Sequence, residues 1–344
     1  MSVEASLRAG PLALRWAAHL EDYVVSVRWS PDGELVATAS VGGAVHLLSG
    51  ADGREVMPLP DHGGGALVVA WSARGEVMAS GGQDGLVRCW DRFREASVAI
   101  PFGAGWVGDL AWSPTSARLA VAIGREVAVV DHVAGAPGPV DRWPDQPSTV
   151  SSVLWSLDGR HVGAGHYGGA RWFEPGEPGV HRAFAWKGSV LRLALAPNGK
   201  WLASGNQDHS VHLWRLWSGD ELEMAGYPAK VEHLTWHRGS RWLAVGNLDD
   251  VTVWDFSGKG PRGRGPKVLS GLSAKVTGLA YQPGGDLLAA GSGDGALALW
   301  TPARARSPRA VMPVGSPVSA LDWSPDGTRL LVGTATGTVA VLAV

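Results

Sequence analysis

Residues 25–33 read VSVRWSPDG, and residues 319–327, close to the other end of the chain, read SALDWSPDG. Six stretches between them follow the same grammar: LVVAWSARG (67–75), GDLAWSPTS (108–116), SSVLWSLDG (151–159), LRLALAPNG (191–199), EHLTWHRGS (232–240) and TGLAYQPGG (277–285). Their anchor residues are Trp29, Trp71, Trp112, Trp155, Leu195, Trp236, Tyr281 and Trp323, at intervals of 42, 41, 43, 40, 41, 45 and 42 residues. A fixed period of this length is the signature of a repeat architecture. Within each unit an alternating apolar stretch, the period of a strand, runs up to the anchor. The four residues that follow, such as Ser30-Pro31-Asp32-Gly33, make a tight turn: proline presets φ and glycine takes the positive-φ position.

A second strand is expected next (residues 35–39, 77–80, 201–204 and 287–290), then a glycine- or aspartate-rich turn. A third strand follows (87–90, 211–214, 251–254 and 297–300), and a variable fourth segment leads into the next unit. Four short strands in about 42 residues make one propeller blade. The chain resembles the WD-repeat (WD40) family through its SPDG turns and through GGQDGLVRCWD (81–91), GNQDHSVHLW (205–214), GNLDDVTVWD (246–255) and GSGDGALALW (291–300). Only Trp90-Asp91 and Trp254-Asp255 carry the literal Trp-Asp pair in that position.

Eight units predict an all-β, eight-bladed WD40-type β-propeller in one domain, residues 1–344. The last unit ends at its third strand, and the apolar stretch 12–18 is unclaimed. The resemblance therefore implies that residues 12–18 complete blade 8 as its outer strand, pairing two edges that would otherwise template aggregation. Seven blades plus an appendage is the alternative.

Composition narrows the function classes. The 344 residues include 48 glycines and 22 prolines, one residue in five, which disfavours long helices. With 45% hydrophobic and 18% charged residues the chain is too apolar for disorder. A net charge of −2 argues against nucleic-acid or membrane binding by the whole surface. One cysteine, Cys89, excludes a disulfide framework and any multi-cysteine metal site. Glu4, Arg8 and Arg15 interrupt the N-terminus as a signal peptide, and no run reaches the roughly 18 apolar residues of a membrane span. A cytoplasmic protein is expected. Arginine outnumbers lysine 24 to 6, which points to a GC-rich, bacterial source.

Catalytic and metal motifs are sparse. There is no phosphate-binding G-x-x-x-x-G-K-[ST] and no G-x-S-x-G elbow. His233 and His237 lie four apart on a strand, a span of about 13 Å, too far to chelate one ion. His209 and His212, and likewise His161 and His166, differ in parity. No metal and no cofactor are expected, and Cys89 reads as a buried thiol. The family resemblance implies a hydrogen-bonded structural tetrad of His62, Ser80, Asp84 and Trp90; a Ser-His-Asp hydrolase triad is the rival reading.

The resemblance also implies partner-binding positions on one face, the narrow one: Tyr23, Trp106, Lys187, Lys230, Lys275, Gln83 and Gln207. Aromatic residues beside cations suit a protein or peptide partner. A second candidate is a basic patch in two third-to-fourth-strand excursions, Lys259, Arg262, Arg264 and Lys267 with Arg304, Arg306 and Arg309, set against the plainer reading of solvated loops. The expectation is a non-catalytic interaction scaffold of unknown partner. The alternatives are an enzyme at the mouth of an axial channel, using carboxylates such as Asp109, Glu232 and Asp322, or phosphate and nucleic-acid binding through the basic loops.

Overall fold

The computed structural model describes residues 12–133, 136–258 and 260–344. In chain order the strands are β1 (Ala13–His19), β2 (Val24–Trp29), β3 (Leu35–Ser40), β4 (Val45–Ser49), β5 (Glu55–Pro58), β6 (Ala66–Trp71), β7 (Val77–Gly82), β8 (Leu86–Asp91), β9 (Ala96–Pro101) and β10 (Val107–Trp112). They continue with β11 (Arg118–Ile123), β12 (Glu126–Val133), β13 (Ala136–Trp143), β14 (Ser152–Trp155), β15 (Val162–Phe173), β16 (Arg182–Leu195), β17 (Trp201–Asn206), β18 (Val211–Arg215), β19 (Glu221–Met224) and β20 (His233–Trp236). The last ten are β21 (Trp242–Asn247), β22 (Asp250–Asp255), β23 (Lys267–Leu269), β24 (Val276–Tyr281), β25 (Leu288–Ser292), β26 (Ala296–Trp300), β27 (Ala310–Pro313), β28 (Val318–Trp323), β29 (Arg329–Thr334) and β30 (Thr338–Ala343). Among the described residues no helix is long and apolar enough to cross a membrane.

The repeat's turn chemistry explains why each first hairpin forms. Gly33 sits at φ 72° and donates its N–H to Ser30 O at 2.9 Å. Ser30 Oγ donates to Asp32 Oδ1 at 2.6 Å and accepts from Leu35 N at 2.9 Å, which opens β3. Ser324 repeats the device: its Oγ accepts from Arg329 N at 2.9 Å, and Gly327 sits at φ 70°.

The chain divides into two compact units. One holds the described part of Met1–Ser40, His46–Pro58 and Tyr227–Val344. Its sheets run β2-β3-β4-β5, β20-β21-β22-β23, β24-β25-β26-β27 and β1-β30-β29-β28. First strands lie side by side, β20 against β24, β24 against β28, and β28 against β2. The N-terminal strand lies beside the C-terminal one, with Ala18 opposite Val339 and Ala13 opposite Ala343. The core between these sheets is built of residues such as Leu297, Leu330, Val27, Val341 and Trp300.

The other unit holds Val41–Val45 and Leu59–Gly226. Its sheets are β6-β7-β8-β9, β10-β11-β12-β13 and one six-stranded sheet, β14-β15-β16-β17-β18-β19. This corrects the count of eight four-stranded blades: the described residues form seven sheets. The repeats anchored at Trp155 and Leu195 share a sheet because β16 runs on through RAFAWKGSVLRLAL with no proline and a single glycine. Its N-terminal half pairs with β15, Phe184 opposite Ala170, and its C-terminal half with β17, Leu193 opposite Ser204. Seven is the count of the alternative reading, but β1 is a member of a sheet and not an appendage.

Candidate functional site

In the second unit the lead-in to β10 carries Trp106, whose side chain lies outside the core at 61% exposure. Its carbonyl accepts Gly124 N–H at 3.1 Å, so the backbone is fixed while the indole faces water. Gln83 and Gln207 occupy the turns after β7 and β17; their N–H groups bond Gly65 O and Ser189 O, each at 2.9 Å. Gln83 is half-buried and Gln207 exposed. Lys187 is exposed on β16, its Nζ 5.3 Å from the centre of the Trp186 ring. Tyr167, on β15, presents a further exposed aromatic ring.

In the first unit Tyr23 precedes β2 at 39% exposure. Lys230 and Lys275 are brought together by a carboxylate: Glu232 Oε1 receives Lys230 Nζ at 2.8 Å and Oε2 receives Lys275 Nζ at 2.6 Å. Burial pushes the Glu232 carboxyl upward, but the two lysines outweigh it and hold it below its ordinary value. The group carries a net single positive charge, where the sequence alone counts two.

The His62 ring ties Ser80 to Asp84. Its Nδ1 lies 2.8 Å from Asp84 Oδ1 and its Nε2 2.9 Å from Ser80 Oγ. Burial, set against the pull of Asp84, holds the His62 pKa below its ordinary 6.5. At Asp84 burial works upward, yet the bonds from His62, Leu86 N and Gly63 N keep the carboxyl low. A neutral ring beside a carboxylate fixes the tautomer: Nδ1–H donates to Asp84, and Nε2 accepts from the Ser80 hydroxyl. Trp90 stands outside this chain of bonds. Its buried Nε1–H has no hydrogen-bond partner among the described residues, and its ring meets Trp71 edge-on at 6.4 Å. A Ser-His-Asp arrangement with hydrolase-like distances is thus present, but Ser80 and His62 are each only 2% exposed. A nucleophile must reach a substrate carbonyl, and this one is walled in.

Lys259 lies outside the described residues. Arg262, Arg264, Arg304, Arg306 and Arg309 are exposed and Lys267 is half-buried. The two excursions meet: Lys267 Nζ donates to Pro302 O, and Ser270 N to Arg306 O at 3.3 Å. Part of the charge is absorbed locally, because Arg264 Nη1 bonds Ser257 Oγ at 3.1 Å and lies 3.8 Å from Asp255 Oδ2.

Of the three carboxylates named for an enzymatic reading, Glu232 is engaged by the two lysines and the other two hold strands. Asp109 Oδ2 accepts Val153 N at 2.9 Å, and Asp322 Oδ2 accepts Trp29 N at 2.8 Å. Each ties one first strand to the next. Cys89 is buried, which pushes its thiol up to about 12 and makes it inert as a nucleophile. One cluster was missed by sequence reasoning. His161, Glu174 and His181 bring their ligand atoms within 4.8 Å of one another. Comparing histidines in pairs along single strands hid it, because its members sit at the two ends of β15 and at the start of β16.

A family model described as WD domain, G-beta repeat matches residues 11–49, 53–91, 180–215, 266–301 and 309–341. The chain is 25% identical over 298 residues to B-type cell cycle switch protein ccs52B of Medicago truncatula, covering 83% of this chain and 59% of that protein. It is 26% identical over 294 residues to Protein FIZZY-RELATED 1 of Arabidopsis thaliana, at 81% and 59% coverage. To Telomerase protein component 1 of Mus musculus it is 24% identical over 294 residues, 78% of this chain and 10% of that one. The chain spans about three-fifths of the length of the two plant relatives. Plant and mouse proteins lend no support to a bacterial source. The crystal structure of the computationally designed Ika8 protein superposes with a TM-score of 0.79 at 17% identity, over 96% of this chain and 99% of that one. That likeness speaks for the fold alone.

Proposed function

The chain belongs to the WD domain, G-beta repeat family, and from that premise we propose that it is a non-catalytic scaffold that binds a protein or peptide. The proposed contact residues are Trp106, Lys187, Gln83 and Gln207 in one unit, and Tyr23, Lys230 and Lys275 in the other. The observation that carries this reading is Trp106. The indoles at the repeat anchors are buried or half-buried against neighbouring strands, whereas this one is 61% exposed on a backbone held by its own hydrogen bond. A large aromatic ring presented to water is the kind of group that dominates protein interfaces. The Glu232-linked lysine pair adds a cationic group suited to an acidic or aromatic peptide.

Selection of a displayed peptide library against the immobilised chain tests this. The wild-type chain is expected to enrich sequences sharing an acidic or aromatic motif. Trp106→Ala should bind the enriched peptide about 30-fold more weakly, on the order of 2 kcal/mol, with an unchanged thermal transition. Equal binding by the variant, or no enrichment by the wild-type chain, would overturn the reading.

A further inference from the structure

His161 is the residue before β15, Glu174 the residue after it, and His181 the residue before β16. Twelve residues of extended strand would hold His161 and Glu174 about 40 Å apart. Instead β15 doubles back at Gly168 and Gly169, whose φ values of 95° and 122° are open to glycine but not to a side chain without strain. His161 Nε2 therefore reaches 3.8 Å from Glu174 Oε2, and His181 Nδ1 reaches 3.7 Å from the same oxygen.

The backbone around this cluster is fixed at each position. Ser156 Oγ, in the turn of this repeat, accepts His161 N–H at 2.9 Å. His181 N–H donates to Trp172 O at 2.8 Å. The His161 side chain is 9% exposed, yet neither of its ring nitrogens has a hydrogen-bond partner among the described residues. A buried imidazole left unpaired on both sides is costly, and this one is aimed at a carboxylate and a second imidazole, whose ring centre is 4.5 Å away. Trp172 and Trp217 flank it at 6.4 and 6.2 Å. Trp217 holds φ 74°, an unfavourable backbone state for a bulky residue.

The geometry points to a zinc(II) site formed by His161 Nε2, Glu174 Oε2 and His181 Nδ1, with water completing a tetrahedron. Two imidazoles and one carboxylate are a donor set that zinc takes with an open fourth position. Ligand bonds of about 2.0–2.2 Å place neighbouring donors roughly 3.3 Å apart. The separations to Glu174 exceed this by a few tenths of an ångström, which side-chain rotation closes. Arg160 Nη2, 3.4 Å from Glu174 Oε1, grips the other carboxylate oxygen and orients the ligand. The inference stands apart from the partner-binding proposal and shares no residue with it.

The full chain, stripped with EDTA and dialysed, is titrated with Zn²⁺ against a chromophoric chelator, and separately with Co²⁺ to read the visible bands of a four-coordinate ion. One equivalent is expected, with a tetrahedral cobalt spectrum. Glu174→Gln and His181→Gln should each weaken zinc binding by about 100-fold or more and abolish that spectrum. His181 is exposed, so its variant is expected to fold, as circular dichroism checks, while His161→Gln, in the buried position, serves as a supporting variant. His19→Gln, exposed and remote in sequence, controls for surface histidines and should bind as the wild type does. Substoichiometric zinc, or unchanged affinity in folded His181→Gln and Glu174→Gln, would overturn the site.

Discussion

At the scale of single residues, the buried chain Asp84–His62–Ser80 shows what residue types alone leave open. The family pattern named four residues as one hydrogen-bonded set. With Trp90 Nε1–H unpartnered, replacing Trp90 by Phe strands neither Ser80 nor His62, and its effect is confined to packing against Trp71. The serine is the member whose loss orphans a neighbour. Ser80→Ala leaves His62 Nε2 buried without a donor, a cost of roughly 1–3 kcal/mol, read as a lower urea midpoint at an unchanged slope. Gly82 guards the same ring: a Cβ there would lie 2.5 Å from His62 Cγ. Gly82→Ala should therefore also destabilise, and a midpoint equal to wild type in both variants would mean that His62 is held by something else.

At the scale of strands, the repeat period becomes a mechanical link. Trp112 Nε1–H donates to Ala70 O at 3.2 Å, Trp155 to Ala111 O at 2.8 Å, and Trp323 to Ala280 O at 3.1 Å. Each acceptor is the residue just before the preceding anchor, so every one of these indoles clamps its sheet to the previous one. That much was legible in the sequence, because a tryptophan at six of the eight anchors, beside a fixed turn, leaves little choice of role. The merging of two repeats into one sheet was not legible, because the absence of a breaker in 182–195 is a weaker signal than its presence elsewhere. The zinc cluster was hidden for a related reason: it depends on β15 folding back, which brings together residues 13 and 7 apart with no shared periodicity. Strand β1 allows a direct test at this scale. It covers β30 along Ala13 to His19, and Trp16 Nε1–H reaches Gly50 O at 3.1 Å. Deleting the chain through His19 leaves β30 as an open edge carrying Val339 and Val341, a template for pairing with other chains. Soluble aggregates should appear by light scattering within the purification; a monodisperse truncation with the wild-type thermal transition would contradict this.

At the scale of the whole molecule, a net charge of −2 with balanced acids and bases leaves little global repulsion, so pH sensitivity falls to individual buried groups. Four buried histidines, His62, His161, His166 and His212, have pKa values below the ordinary 6.5. In each case burial comes first, since it penalises the imidazolium; His181 adds to the effect at His161, while Asp84 and Glu221 oppose it at His62 and His212. Below pH 6.5 the unfolded chain takes up protons that the folded one refuses, so stability rises with pH through this window and is lost as pH falls. Each histidine kept neutral contributes up to about 1.4 kcal/mol per pH unit there. Asp84 and Asp326, held low in the folded state, lose their contribution only further down, in the carboxylate range. Urea midpoints measured in EDTA should therefore be level from pH 8 to about 7, then fall steadily from about 6.5 to 5. His62→Gln, though less stable at pH 7, should show a shallower fall because one titrating group is gone. A midpoint that is flat or rising as the solution is acidified from pH 7 to 5 would mean that these rings find solvent, or proton-accepting partners, in the folded chain.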